Sequence, residues 1–487
     1  MMSRTPASVS PLTKHLCTGL LRPMFTPTTR TVAWLCLILA ITSTLSACAT
    51  YHDLPLDEGH GAGSVAQLGA PTAAMSLPVL ATHRFDPSDG LDATEVAMLA
   101  VANSPSLRLK RDELGIARAQ AFAAGLLPDP QLAVSTDIPR QSAVGLSNAY
   151  SLGLSEDISA LLTRSSRKAA ARSQAEQVNL DLLWEEWQTV AQARLLFDQV
   201  LNLRAQHDAL DAEQQALAQV DRAITAALQA GNLTYDGASV GLNAVADVRT
   251  RLADNAIATH QADSELHLLL GLAADAPLQL SGTAYAPTPT AQQLQTALHH
   301  LPQRRPDLLA LQAGYQSQQE KLRGAILAQF PALTLGFNSA RDTSAVYTNG
   351  FSIGITLPLF DRNRGNIAIE RATRQQLHDD YAARLQQTRS DLQRISSDLT
   401  TLDGQIIQLD THAHQLDQAR DAAGRAWLAG TLDWPTWLAI RGNALAADLQ
   451  LLALKQERAR QSIALEALLG NTDLINTSSV PRQATTR

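Results

Sequence analysis

Twelve histidines, five methionines and three cysteines are the side chains from which a metal or redox centre would be built, and their spacing builds none. His412 and His414 are two apart in a helical stretch, so they point to different sides and cannot share an ion. His260 and His267 share a face but stand two turns, roughly 10 Å, apart. His299 and His300 are neighbours near a helix end. Cys17, Cys36 and Cys48 all precede residue 49, which leaves the remainder without a disulfide or thiolate site. Met75 and Met98 alone follow Cys48, too few for a thioether relay for copper or silver. Zinc-ligand spacings, a glycine-rich phosphate loop, a nucleophile elbow and a catalytic triad are all missing. The chain reads as a non-enzyme without cofactor or metal site.

Cys48 does have chemistry open to it. Arg30 precedes the apolar run TVAWLCLILAITSTL, too short for a comfortable transmembrane helix and followed by small residues, as in a signal peptide. The run ends in Leu45, Ser46, Ala47 and Cys48, which resembles the bacterial lipoprotein signal, where the cysteine is acylated and becomes the first mature residue. An ordinary signal cut near a chance cysteine is the bland alternative. The lead before Arg30 is long, and translation from Met24 would shorten it. Ala49 follows the cysteine where an Asp would signal inner-membrane retention, so the expected destination is the outer membrane. Residues 1–47 are thus a signal peptide, 48–90 an acylated extended segment rich in Gly, Pro, Ser and Thr, and 472–487 a disordered tail.

The next informative side chains alternate. In GFSIGITLPLF (350–360), Phe351, Ile353 and Ile355 alternate with Ser352, Gly354 and Thr356, the two-residue period of a strand with one apolar face. Tyr150, Leu152 and Leu154 alternate likewise with Ser151, Gly153 and Ser155. Leu132, Val134 and Ile138 share a face, as do Leu333, Leu335 and Phe337. The strands are expected over 131–138, 148–156, 332–340 and 349–359. Lengths of about eight to eleven residues suit tilted membrane-spanning strands. An apolar outside and a polar inside is the pattern of an outer-membrane barrel. Four strands cannot close one, and an open edge cannot stand in lipid. Strands from other copies must therefore complete it, and a trimer would supply twelve. Two soluble hairpins capping a helical bundle are the alternative.

The elements that position these strands are written twice. Pro105 and Pro130 recur as Pro306 and Pro331 at an offset of 201, and AYSLGLS (149–155) falls on GFSIGIT at the same offset. AGNLTY (230–235) falls on AGTLDW (429–434), and LLLGL (268–272) on LEALLGN (465–471), at offsets near 199. The repeats cover 91–272 and 291–471, joined by a linker, 273–290, containing APTPT. Each predicts a helix of about 22 residues, a strand pair, a very long helix (164–229 or 364–428), a Gly turn and a returning helix (236–271 or 436–470). Leu196, Leu203, Leu210, Leu217 and Ile224 form one heptad series; Leu385, Leu392, Leu399 and Ile406 form another, beside Ile395, Leu402, Leu409 and Leu416. Helices of this length reach roughly 100 Å. The fold class is mainly α with a small membrane β-barrel. A net charge of −7 and a pI near 5.9 leave no basic stripe for nucleic acid.

This duplicated order behind a lipoprotein signal resembles the TolC family of outer-membrane efflux ducts. The motifs are GLLPDPQL (125–132), RRPDLLALQAGYQ (304–316), LPLFDRNRGNI (357–367) and the two AGxL turns with their closing LLG segments. LPLFDRNRGNI and GLLPDPQL look most like the branch serving heavy-metal pumps of the cobalt–zinc–cadmium and copper–silver type. The resemblance implies a homotrimer with a twelve-stranded barrel continued by a periplasmic helical barrel. It also implies partners: a periplasmic adaptor (membrane fusion protein), an inner-membrane pump of the resistance-nodulation-division type, and outer-membrane lipid. The barrel would face lipid through Leu132, Val134, Tyr150, Leu152, Leu154, Leu333, Leu335, Phe351, Ile353 and Ile355. Ser151, Gly153, Ser155, Ser352, Gly354 and Thr356 would face the lumen. Gly231 and Gly430 match the family's inner tips, where the tube closes and the adaptor docks. The family places an acid about six positions after each tip glycine, but Gly237 and Thr436 stand there; Asp236 and Asp433 are near, out of register. Trp427, Trp434 and Trp437 crowd the second tip, either as a binding hot spot or as packing. Arg362 and Arg364 either rim the lumen or are solvated. Heavy-metal efflux is the expected task; efflux of drugs or other organic compounds, a type I secretion duct, and a structural coiled-coil lipoprotein are the alternatives.

Overall fold

Pro105 and Pro306 each open a helix behind an extended residue, because proline lacks the N–H that a first turn leaves unpaired and disfavours helix at the residue before it. The computed structural model describes residues 50–56, 59, 61–69, 77, 80, 83–140, 145–282 and 290–469. The signal segment, Cys48, Met75, the APTP of the linker and the 472–487 tail lie outside the described residues. The chain divides into two units. In Met1–Gly59 the described residues carry no helix or strand. The unit from His60 onward holds the elements below.

Helix α1 (Ala93–Asn103) leads to α2 (Pro105–Ala123), strands β1 (Gln131–Asp137) and β2 (Ala149–Asp157), the 71-residue α3 (Ser159–Gln229) and α4 (Tyr235–Leu270). The second half repeats the series as α5 (Ala291–Arg304), α6 (Pro306–Leu327), β3 (Ala332–Arg341), β4 (Tyr347–Thr356), the 65-residue α7 (Arg364–Leu428) and α8 (Trp434–Leu469). At about 1.5 Å per residue, α3 is roughly 105 Å long. Most strand ends lie one to three residues from the alternation pattern, β2 running one residue later, β3 one residue longer and β4 starting two residues earlier, and two strands stop early at prolines. β1 stops at Asp137, short of Ile138, and β4 stops at Thr356 rather than 359. Pro139 and Pro358 follow, and a proline brings no N–H to a ladder.

Periodicity did not announce α1 and α5, yet each carries a capping box. Asp92 accepts from the Thr94 and Glu95 amides while Glu95 accepts from the Asp92 amide, and Thr290 and Gln293 repeat the exchange. The composition of 49–90 predicts loose chain, but residues 61–69 do not lie free. Ala62 exchanges hydrogen bonds with Gly271 and Ala273, and Leu91 does so with Gln279 and Ser281. Leu77 and Leu80 join a core of α1, α3 and α4 side chains that includes Phe197 and Leu266. Two leucines and two short bridges need no periodicity, so the pattern leaves no trace of them.

Near the sheet the helices lie side by side in the order α2–α3–α6–α7; farther away the order is α4–α3–α8–α7. Named contacts fix both layers. Ser317 of α6 donates to the Ala170 carbonyl of α3, and Gln318 to the Glu370 carbonyl of α7. Asn255 of α4 donates to Leu203 of α3, whose Asn202 donates to Leu452 of α8. Central α3 buries every member of its heptad series, Leu196, Leu203, Leu210, Leu217 and Ile224. On α7, which has neighbours on one side only, Leu392, Ile395 and Leu399 are buried while Leu402, Leu409 and Leu416 are half-buried.

Candidate conducting face and helical tip

The four strands make one antiparallel sheet in the order β1–β2–β3–β4, and its register decides which side chains share a face. Leu132 pairs with Leu154 and Val134 with Leu152; Leu154 pairs with Phe337, Phe337 with Phe351, Leu335 with Ile353 and Leu333 with Ile355. Directly paired residues point the same way. Leu132, Val134, Tyr150, Leu152, Leu154, Leu333, Leu335, Phe337, Phe351, Ile353 and Ile355 therefore form a single apolar face. All but Leu333 are exposed, Phe351 at 89%. Phe337 and Phe351 meet edge to face at 5.3 Å.

The opposite face is small and polar. Ser135 pairs with Ser151, Ala133 with Gly153, Gly153 with Asn338, Ser155 with Gly336, Gly336 with Ser352, and Thr334 with Gly354. Ser151 donates to Asn338 Oδ1 at 2.7 Å. A Cβ added to Gly336 would collide with Ser352 Oγ, and one added to Gly354 with Thr334 Oγ1. At Gly336 and Gly354 this face therefore has no room for a side chain. Thr334, Gly336 and Asn338 are members that sequence reading missed; only the register, not one strand's alternation, brings them in. Among the described residues β1 pairs only with β2, and β4 only with β3, so both sheet edges are open.

At the far end of the long helices the two turns are built alike. Gly231 and Gly430 take φ of 69° and 72°, a left-handed conformation that a side chain would strain. The Gly231 amide donates to Leu228 and the Asn232 amide to Ala227; the Gly430 amide donates to Trp427 and the Thr431 amide to Ala426. This crossed pair closes each helix. Thr234 then caps α4 through the Gly237 amide, and Asp433 caps α8 through the Thr436 amide at 2.8 Å. Those Thr436 hydrogen bonds, from amide and side chain, hold the Asp433 carboxyl below its usual range. Asp236 is exposed in the first turn of α4. Trp437 is 3% exposed, stacked on Trp427 at 4.6 Å and beneath Arg441 at 5.1 Å. Arg441 grips the buried Glu213 of α3 through two hydrogen bonds, 2.6 and 3.1 Å. Trp434 is half-buried, its ring near the space a Gly241 side chain would occupy. The tip tryptophans are thus packing between hairpins. Arg362 and Arg364 are bound back to the Pro358 and Phe360 carbonyls at the strand-to-helix junction.

Among the described residues no helix is long and apolar enough to cross a membrane. None of their His, Cys, Asp or Glu side chains are grouped to hold a metal ion.

Residues 297–471 match the family model described as outer membrane efflux protein. No curated protein sequence matches the chain. The fold is that of solved outer-membrane channels. The CusC structure superposes with a TM-score of 0.65 at 17% identity, covering 87% of this chain and 100% of that one. The CmeC outer membrane channel of Campylobacter jejuni gives 0.66 at 15%, covering 87% and 95%. The open state of the MtrE outer membrane channel of Neisseria gonorrhoeae gives 0.64 at 18%, covering 78% and 89%.

Proposed function

We propose that this chain is one subunit of a homotrimeric outer-membrane efflux duct, anchored through acylated Cys48 and working with a periplasmic adaptor and an inner-membrane pump. The observation that carries the reading is the sheet: one exposed apolar face, one face of Gly, Ser, Thr and Asn, and two open edges. Such a sheet is stable in lipid only when closed, with Ser151, Gly153, Ser155, Ser352, Gly354 and Thr356 towards water and the leucines, isoleucines and aromatics outward. Three copies give twelve strands. β1 and β4 run in opposite directions, so the last strand of one copy can pair antiparallel with the first of the next. The helices, leaving one end of the sheet only, continue as the periplasmic tube, with Gly231 and Gly430 at its inner tips.

Conduction is passive, and no residue performs catalysis. Asp236, exposed beside the tip, is the carboxylate we assign to a cation-attracting ring; Asp433 serves as a helix cap. Heavy-metal cations are the cargo we favour, on the strength of GLLPDPQL and LPLFDRNRGNI. Planar-bilayer recordings test the duct: discrete conductance steps are expected, and a silent protein that inserts would refute it. A deletion strain with unchanged tolerance to zinc, cobalt, cadmium, copper and silver would remove the metal reading and leave the duct.

A further inference from the structure

The apolar face of the sheet changes character along its length. Close to the helices its rows are Leu333–Ile355, Glu156–Leu335–Ile353 and Leu132–Leu154–Phe337–Phe351, apolar but for the one carboxylate of Glu156. Towards the hairpin turns the rows become Val134–Leu152–Ser339–Asn349 and then Thr136–Tyr150–Arg341–Tyr347. The last row thus places one guanidinium between two tyrosines on the face that the duct reading turns to lipid. Arg341 Cζ is 5.7 Å from the Tyr347 ring centroid, and the Tyr150 and Tyr347 rings meet at 6.4 Å and 69°. Arg341 Nε is buried without a hydrogen-bond partner, and among the described residues no carboxylate pairs with this arginine. The adjacent acid is already engaged: Asp342 Oδ1 accepts from the Ser344 and Val346 amides at 2.8 and 2.9 Å.

An unpaired arginine on a lipid-facing strand is strongly unfavourable at mid-bilayer and tolerated at the interface. β3 is about 31 Å long at ~3.4 Å per residue, and a tilt of about 40° lowers its rise to roughly 24 Å, the height of an outer-membrane apolar band. Arg341 ends that rise on the side away from the helices, which is the cell-surface side. β3 is an inner strand of the sheet, so Arg341 does not belong to a seam between copies. The anions available at that level are phosphate esters, and the guanidinium fork matches their oxygens. We propose that Arg341, flanked by Tyr150 and Tyr347, binds a phosphate of an outer-leaflet lipid. This rests on the duct reading.

The test is native mass spectrometry of the detergent-solubilised full chain, titrated with a synthetic bis-phosphorylated acyl disaccharide lipid. The same lipid without phosphates, and inorganic phosphate, are the comparison arms. Lipid retention should fall about tenfold in Arg341→Gln, as expected for losing a charge-assisted hydrogen bond, remain intermediate in Arg341→Lys, and be unchanged in Arg362→Gln. Equal retention by Arg341→Gln, or equal binding of the phosphate-free lipid, overturns the site. Full competition by equimolar inorganic phosphate makes it a free-anion site instead. Insertion into outer-membrane vesicles is scored separately. If wild type and Arg341→Gln insert alike and retain lipid alike, only this site falls; a wild type that fails to insert brings down the duct as well.

Discussion

At the scale of single residues, one half-buried and one buried polar group have consequences that can be measured. Asp198 of α3 sits between Arg194, which is 2.9 Å from Glu466, and Asn202, which is committed to the Leu452 carbonyl. Burial alone pushes its carboxyl from 3.8 up to about 6. A carboxyl raised in the folded state disfavours folding once ionised, so stability declines as pH rises from about 4 through 6. Asp198→Asn should raise the melting midpoint at pH 7.5 and lose that advantage at pH 4; a gain equal at both values contradicts the assignment. The second group is Arg305, 2% exposed, held by Asp307 at 2.6 and 2.8 Å and by Thr388 at 3.0 Å beneath the Trp184 ring. At the same offset the first repeat has Ser104 and Ser106, hydrogen-bonded at 2.9 Å. Arg305→Ser alone removes both hydrogen bonds to the buried Asp307 carboxylate, leaving it only Arg384 at 3.8 Å, and should cost about 3 kcal/mol. Arg305→Ser with Asp307→Ser, the arrangement the first repeat uses, should recover most of that loss in chemical denaturation.

At the scale of elements, the duplication reaches into the ion pairs with the signs reversed. Asp221 of α3 meets Arg249 of α4 at 2.9 Å, while Arg420 of α7 meets Asp448 of α8 at 3.3 Å. These positions are equivalent at an offset of 199. Asp417, also paired with Arg420, corresponds to Ala218. Asp448→Arg alone sets two cations against each other and should lower the melting midpoint. The triple change Asp417→Ala, Arg420→Asp, Asp448→Arg copies the first hairpin and should return it to within about 0.5 kcal/mol of the parent. A triple variant no better than the single one would show that the hairpins are not interchangeable here. For the sheet, Ile353→Lys should impair insertion and Ser352→Lys should leave insertion intact but alter conductance; equal tolerance of both makes the lipid-facing assignment wrong. Strand faces, long helices and tip glycines were legible in the sequence because each follows a local period or a single conformational demand. The capping-box helices α1 and α5 were legible in principle, through Asp92–Glu95 and Thr290–Gln293, but their short runs carry little periodicity. The bridges of Ala62 and Leu91 were not legible, since backbone pairing across some 200 residues leaves no side-chain pattern.

At the scale of the whole molecule, both helix layers and the sheet run in a fixed order, so each copy has two unlike edges. One edge carries β1, α2 and α4, with Leu109, Ile116, Phe122 and Ile257 exposed; the other carries β4 and α7, with Ile369 and Ile407 exposed. Unlike edges joined head to tail form a closed ring or an open filament, according to the rotation between copies. The sequence could count four strands and require more, but the two edges became visible only once the order of neighbours was known. No cysteine follows Cys48, so introduced thiols report without interference. Val134→Cys on β1 can be combined in turn with Cys at Tyr347, Asn349, Phe351 or Ile353 on β4, all on the apolar face. If three copies close the barrel, at least one pair should yield disulfide-linked dimers and trimers on a denaturing gel, and nothing larger. A ladder continuing past the trimer would mean an open assembly. Absence of cross-linking across the whole panel, in protein confirmed to be inserted, would mean that β1 and β4 do not meet between copies, and the twelve-stranded barrel would have to be abandoned.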